Sequence, residues 1–182
     1  MTTIIIVVIV VLLIVIYAMM YNNLIKNRNQ AQEFSSQINV QLKRRTDLIP
    51  NLVETVKGYA THEKTTLEEV VNLRNSVISA DSLQGKVDAD NKLTAALRQI
   101  FALSENYPNL KANQEFSQLM EELSNTENKV AYARQAYNAA VQNYDTAIET
   151  FPRNIVAGIH GFKKMDYLDI PDSEKEAPKV KF

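Results

Sequence analysis

Residues 4–20 read IIIVVIVVLLIVIYAMM and contain no charged side chain. A membrane-spanning helix needs about 20 apolar residues, because each residue adds ~1.5 Å and the hydrocarbon core is ~30 Å thick. Tyr17 and Tyr21 lie at the end of the stretch, and aromatic side chains favour the headgroup boundary. The stretch Ile4–Met20 therefore predicts a helix that crosses the lipid bilayer.

A cleaved secretory signal is the main alternative for this stretch. Such a signal has basic residues before its apolar core and small residues at its cleavage site. Here the first basic residue is Lys26, and no small-x-small pattern follows the core. We therefore expect residues 1–23 to be a retained single-pass anchor. Lys26 and Arg28 follow it closely, so the positive-inside rule predicts that the C-terminal domain is cytoplasmic.

The composition of the remaining chain restricts its class. Of 182 residues, 20 are basic and 21 are acidic, and all of these charges follow Ile25. A near-neutral domain argues against nucleic-acid binding, which requires a basic face. Only four glycines and no tryptophan occur, and helix-forming residues are abundant, which favours an all-α protein. The absence of cysteine excludes disulfides, thiolate catalysis and thiolate zinc sites.

Apolar residues recur at helical spacing from Leu24 onward, and no Gly or Pro separates them from the apolar stretch. We expect one continuous helix from the membrane to about Leu48. Pro50 disfavours helical geometry at the residue before it, so a turn is predicted there, with a kink in a longer helix as the alternative. A second helix is then predicted from about Pro50 to Ser79.

A third, shorter helix is expected to end near Glu105, with Leu93, Leu97 and Phe101 on its apolar face. The fourth helix has the strictest pattern, an apolar stripe from Phe116 to Phe151 in alternating steps of three and four. The predicted fold is an N-terminal transmembrane helix that continues into an antiparallel four-helix bundle with a long C-terminal helix. The bundle is expected over residues 24–162, and a charged, disordered tail over 163–182.

No catalytic, cofactor or metal site is predicted. His62 and Glu63 begin like the zinc-binding HExxH motif, but Thr66 occupies the position of the second histidine. The short acidic run 88–90 begins like a calcium loop, but Lys92 and Leu93 replace an oxygen ligand and the glycine that such a loop requires.

Lys43, Arg44 and Arg45 form the densest basic cluster. Along a straight helix they lie ~35 Å beyond the apolar stretch, whereas charges are screened over ~8 Å, so contact with lipid headgroups is not expected. Two interpretations remain, namely ion pairs within the bundle and a surface for a partner. A packed core alone would not require three adjacent positive charges, because they occupy different faces of the helix. We therefore predict an interaction surface at the helix–helix corner near Pro50, and charge reversal at Arg44 and Arg45 is expected to leave the fold intact. The candidate surface comprises Lys43, Arg44, Arg45, Asp47, Pro50, His62 and Glu63.

Several segments resemble the LemA family of bacterial membrane proteins: QLKRRTDLIPNLVETVKGYATHE (41–63), FALSENYPNLKANQEF (101–116), ELSNTENKVAYARQAYNAAVQNY (122–144) and FPRNIVAG (151–158). The resemblance extends from Tyr21 to Phe162. It implies a membrane helix followed by a cytoplasmic helical bundle in the bacterial cell membrane. Members of this family have no agreed enzymatic activity and are often encoded near a membrane protease.

The expected function is that of a membrane-anchored scaffold without catalysis of its own. The anchor, the lack of a reaction centre and the long apolar stripe favour a protein that forms homo-oligomers or binds other membrane proteins. A regulatory adaptor of a membrane protease or of an envelope-stress pathway is the alternative, and it rests on the resemblance alone.

Overall fold

The computed structural model describes residues 1–60 and 62–169. Every regular element in these residues is a helix, which confirms the predicted all-α class. The six helices are α1 (Thr2–Lys57), α2 (Lys64–Ser79), α3 (Leu83–Ser104), α4 (Pro108–Lys111), α5 (Gln114–Glu149) and α6 (Arg153–His160).

The N-terminal part of α1 is apolar and exposed. Its large side chains from Ile4 to Ile16 are each between 42 % and 69 % exposed. Among the described residues, α1 is the helix that is long and apolar enough to cross a membrane, by length and composition. Because such a surface is unfavourable in water, residues 4–20 form a candidate membrane span.

The predicted turn at Pro50 is wrong, because α1 continues through this residue to Lys57. The apolar side chains on both sides of Pro50 keep one helical stripe, and Ile49, Leu52 and Val56 are fully buried. Pro50 itself lies on the exposed side. Burial of that stripe therefore outweighs the ~3 kcal/mol that a proline costs inside a helix. The helix ends instead where Gly58 follows Lys57, and glycine is a weak helix former.

Helix α3 ends at Ser104, close to the predicted end near Glu105, but it begins at Leu83, inside the stretch 80–86 that was expected to be a turn. Ser82 begins α3 as its N-cap, and its hydroxyl oxygen accepts a 3.0 Å hydrogen bond from the backbone N–H of Gly85. The apolar stripe of α5 is buried from Phe116 to Ile148, but Phe151 is 74 % exposed because it lies beyond the end of the helix. The long C-terminal helix is therefore confirmed.

The described chain forms two compact units. The first combines Met1–Ser35 with Arg134–Tyr167, and the second combines Ser36–Ala133 with Leu168 and Asp169. Both α1 and α5 contribute residues to each unit. The predicted domain limits at residues 23 and 162 are not tested by this division and stay predictions.

The core of the first unit is small and joins α1, α5 and α6. Met20 and Tyr21 of α1 pack against it. The segment that follows α6 packs on α5, where Tyr144 Oη donates to the carbonyl oxygen of Lys163 at 2.9 Å and Tyr137 Oη donates to that of Asp166 at 3.0 Å. The buried residues of this core are Leu24, Tyr144, Ala147, Ile148, Val156 and Ala157.

The second unit contains the predicted four-helix bundle, in which α1, α2, α3 and α5 share one core. Representative core residues are Ile38 and Leu52 of α1, Val70 of α2, Ile100 of α3 and Leu123 of α5, all at most 2 % exposed.

The start of the predicted disordered tail is packed. Leu168 is buried, and the backbone N–H of Asp169 donates to Gln84 Oε1 at 2.9 Å. Residues 170–182, which the same prediction included, lie outside the described residues.

Candidate interaction surface

Helix α1 directs the three residues of the basic cluster to different sides, since successive residues are rotated by about 100°. Lys43 points outward and its Nζ lies 2.7 Å from Asp47 Oδ2, one turn further along α1. Arg44 Nη2 donates to both carboxylate oxygens of Glu122 on α5, at 2.9 and 3.0 Å. Both pairs are at least 44 % exposed, so each contributes little to stability.

Arg45 lies in the core of the second unit. Its side chain is 1 % exposed, Nη1 donates to Asp90 Oδ2 on α3 at 2.8 Å, and Nη2 donates to Glu127 Oε2 on α5 at 3.1 Å. The other carboxylate oxygen of Glu127 accepts from Arg98 Nη2 at 3.2 Å. Arg45 is therefore not available to a partner, which corrects its place in the candidate surface. We call Arg45, Asp90, Glu127 and Arg98 the ion cluster.

Asp90, the partner of Arg45, is not among the residues that the sequence predicts for the site. The spacing of Asp90 from the apolar residues around it indicates that it faces the core. Asp90 lies three residues after Val87 and three before Leu93, both of which are buried, so helical spacing places it on the inner face of α3. An acid on an apolar face requires a buried cation or hydrogen-bond donors. The position of Asp90 therefore predicts a basic partner that points into the same core.

The other predicted surface residues lie at the end of α1 and beyond it. Pro50 and His62 are exposed. Glu63 is partly buried, and its Oε1 accepts a 3.1 Å hydrogen bond from Tyr107 Oη. Among the seven predicted residues, Lys43 and Asp47 are joined to each other by a described ion pair. The exposed members, Lys43, Arg44, Asp47, Pro50 and His62, remain a predicted interaction surface.

A groove in the second unit was not predicted. It has a volume of about 630 Å³ and lies between α3 and α5. Phe101 was expected on the apolar face of α3, yet it is 55 % exposed and lines this groove with the partly buried Met120. The buried side chains of Leu97 and Leu123 also contribute to the lining. Charged residues complete the lining of the groove: Arg98, Lys111, Glu121, Glu127 and the buried Arg45.

The groove is suited to holding an apolar side chain of a protein partner. Exposed Phe and Met side chains are enriched in protein interfaces, where they form an apolar centre inside a polar rim. Within residues 1–60 and 62–169, no group of three or more His, Asp or Glu side chains is arranged to hold a metal ion.

Comparisons with known proteins identify the chain's relatives. The Magnetosome protein MamQ of Magnetospirillum gryphiswaldense is 26 % identical over 176 residues, which cover 82 % of this chain and 65 % of that protein. The chain thus spans less than two thirds of this relative. Protein LemA of Metamycoplasma hominis is 27 % identical over 161 residues, covering 85 % of this chain and 68 % of that protein.

The model of the LemA family matches residues 34–182. This match begins after the candidate span and includes the C-terminal residues that the resemblance had left out. Since it covers most of the chain, it confirms the resemblance: the chain belongs to the LemA family.

Proposed function

We propose that this protein is a membrane-anchored helical scaffold that associates with itself or with other membrane proteins and performs no catalysis. The observation that supports this most strongly is the division of α1. Residues 4–16 expose only apolar side chains, whereas Ile38, Ile49 and Leu52 of the same helix are fully buried in the second unit. One continuous helix thus supplies both a candidate span and part of a folded domain.

Membrane anchoring is tested by placing charges in the centre of the span. An Arg at mid-span costs ~2.5–3.5 kcal/mol on insertion scales, so the double variant Ile9→Arg with Leu12→Arg should release the protein from membranes. A matched control places the same two charges at exposed positions outside the span, Gln135→Arg and Gln142→Arg. If the span variant stays with membranes after alkaline carbonate extraction, residues 4–20 are not the anchor.

The groove between α3 and α5 is the surface that we propose for a partner. Its lining brings the half-exposed ring of Phe101 beside the aliphatic side chains of Leu97 and Leu123. In typical interfaces a few buried side chains, most often aromatic or arginine, supply most of the binding energy. The charges of Arg98 and Glu121 at the same groove would then restrict which partner fits.

The variant Phe101→Ser should weaken association without unfolding the domain, because more than half of this side chain is exposed. Loss of a central aromatic group costs ~2 kcal/mol or more, which corresponds to about a 30-fold weaker complex. Tyr132→Ser is the control, since Tyr132 is 71 % exposed in the same unit and does not line the groove.

The measurement is the mass of the complex purified from membranes in a mild detergent. Complexes made only of this chain support self-association, and a second protein present in stoichiometric amount supports a scaffold or adaptor for another membrane protein. Equal masses for the wild type and Phe101→Ser would remove the groove from the proposal.

A further inference from the structure

Helix α6 exposes an apolar face of its own. Val156 and Ala157 point into the core of the first unit, while Ile155 and Ile159 are 54 % and 67 % exposed. These isoleucines are four residues apart and therefore lie on the same side of the helix. Phe151, just before α6, is also exposed. Burial of each such side chain would be favourable by ~1.5–3 kcal/mol. An apolar environment that covers these three side chains would therefore be stabilising.

Contacts within the first unit fix the position of α6 along α1. A 2.8 Å hydrogen bond joins Tyr17 Oη to His160 Nε2, and the rings of Tyr21 and His160 are 4.6 Å apart. The ring of Phe162 lies 6.0 Å from that of Tyr21. Tyr17 belongs to the last turn of the apolar stretch 4–20, so the end of α6 lies level with the end of the candidate span.

The charges beside α6 suit the same location. Arg153 is the first residue of α6, and the exposed Lys163 lies three residues after the last residue of α6, His160. Arg28 of α1 lies over the ring of Phe162, with its guanidinium carbon 5.5 Å from the ring centre. Basic residues near a membrane surface gain about 1 kcal/mol each from anionic lipids. An apolar face with flanking cations is the composition of helices that lie in the membrane interface.

We propose that α6 is a second membrane contact, which lies in the surface of the bilayer that α1 crosses. Phe151, Ile155 and Ile159 enter the boundary between headgroups and acyl chains, and Arg153 and Lys163 contact anionic headgroups. The inference rests on the proposed anchoring by residues 4–20, because that span determines the height of the bilayer along α1.

The chain has no cysteine, so single-cysteine variants of the full-length protein can each hold one fluorescent label. The variant Ile159→Cys places the label on the exposed apolar face of α6 and reports the depth of that face in the bilayer. Gln135→Cys is the control for an exposed site on α5 of the same unit, and Leu13→Cys reports the span itself. All three side chains are exposed, so none of the substitutions removes core packing. The labelled proteins are reconstituted into vesicles of equal parts phosphatidylcholine and phosphatidylglycerol.

Quenching by lipids with a nitroxide near the headgroup or in mid-chain gives the depth of each label. The label at 159 should be quenched by the shallow nitroxide at least about twofold more than the label at 135, and the label at 13 by the deep one. If the label at 13 is quenched but that at 159 equals that at 135, the interfacial role of α6 is overturned and the anchor stands. If the label at 13 is not quenched, the anchoring itself fails, and this inference fails with it.

Discussion

Arg74 Nε on α2 donates a 2.8 Å hydrogen bond to the carbonyl oxygen of Thr46 on α1. This is the carbonyl that would accept from residue 50 in a regular helix, and Pro50 has no N–H to offer. Thr46 is 3 % exposed, so water cannot readily replace the missing donor. A side chain from a neighbouring helix thus satisfies the backbone group that the proline leaves open.

Replacement of Arg74 by Met should therefore destabilise the protein. The loss of a donor to a buried carbonyl costs about 1–3 kcal/mol. Chemical unfolding of the full chain in detergent would measure this loss of stability. In a Pro50→Ala background the backbone N–H of residue 50 supplies a donor, and the same replacement should cost less. An equal cost in both backgrounds would show that the Thr46 carbonyl does not depend on Arg74.

Arg44 and Arg45 should respond differently to charge reversal, contrary to the expectation from sequence that both are tolerated. Arg45→Glu places a third carboxylate beside Asp90 and Glu127, and breaking a buried ion pair costs about 3–5 kcal/mol. We expect this variant to be largely unfolded by circular dichroism. Arg44→Glu breaks an exposed pair worth less than about 1 kcal/mol and serves as the matched control. Similar melting temperatures for the two variants would contradict the burial of Arg45.

The first unit should lose stability at alkaline pH. Burial raises the pKa of Tyr137 above its ordinary value of 10.0, and the carboxylates of Asp166 and Asp145 raise it further. Burial also raises the pKa of Tyr144, with an opposing effect from Arg28 and a further increase from Asp145. A group whose pKa is higher in the folded state stabilises the protein fully below its unfolded pKa, and this contribution is lost as the pH rises through the folded pKa.

The double variant Tyr137→Phe with Tyr144→Phe should show a weaker decline of melting temperature above about pH 10. Each replacement removes one hydrogen bond, so at neutral pH the free energy of unfolding of the double variant should be lower by ~0.5–1.5 kcal/mol per site. Parallel curves for wild type and variant across the alkaline range would mean that these tyrosines do not control the transition.

We propose that the C-terminal domain lies in the cytoplasm, because Lys26 and Arg28 closely follow the candidate span. A cysteine at the exposed position Gln135 should not react with a membrane-impermeant maleimide in intact cells, and should react after permeabilisation. A cysteine at Thr3, before the candidate span, should react with the same maleimide already in intact cells. Labelling of Gln135→Cys in intact cells would place the domain outside.

The sequence was sufficient to predict the features that depend on local periodicity. The buried stripe of α5 from Phe116 to Ile148 follows from the spacing of apolar side chains, and the candidate span follows from an unbroken apolar run. Pro50 was misread because its effect depends on Arg74, which is remote in the chain, and on a stripe whose burial exceeds the cost of one proline.

The candidate surface was less predictable. Whether a basic side chain faces a partner or a core depends on a carboxylate elsewhere in the chain, as with Arg45 and Asp90. The exposed faces of Phe101 and Ile159 were also missed, since spacing shows which residues are apolar but not which apolar side remains uncovered.

The ion cluster has a consequence for how the helices align. Apolar stripes repeat every three or four residues, so α1, α3 and α5 could also be packed with one helix displaced by a turn. A displacement of α3 by ~5.4 Å would carry Asp90 away from Arg45 and leave opposite charges apart in the core, at a cost of ~3–5 kcal/mol. Arg45, Asp90 and Glu127 of the ion cluster, one from each of the three helices, therefore favour one of the several registers that the apolar side chains alone would allow.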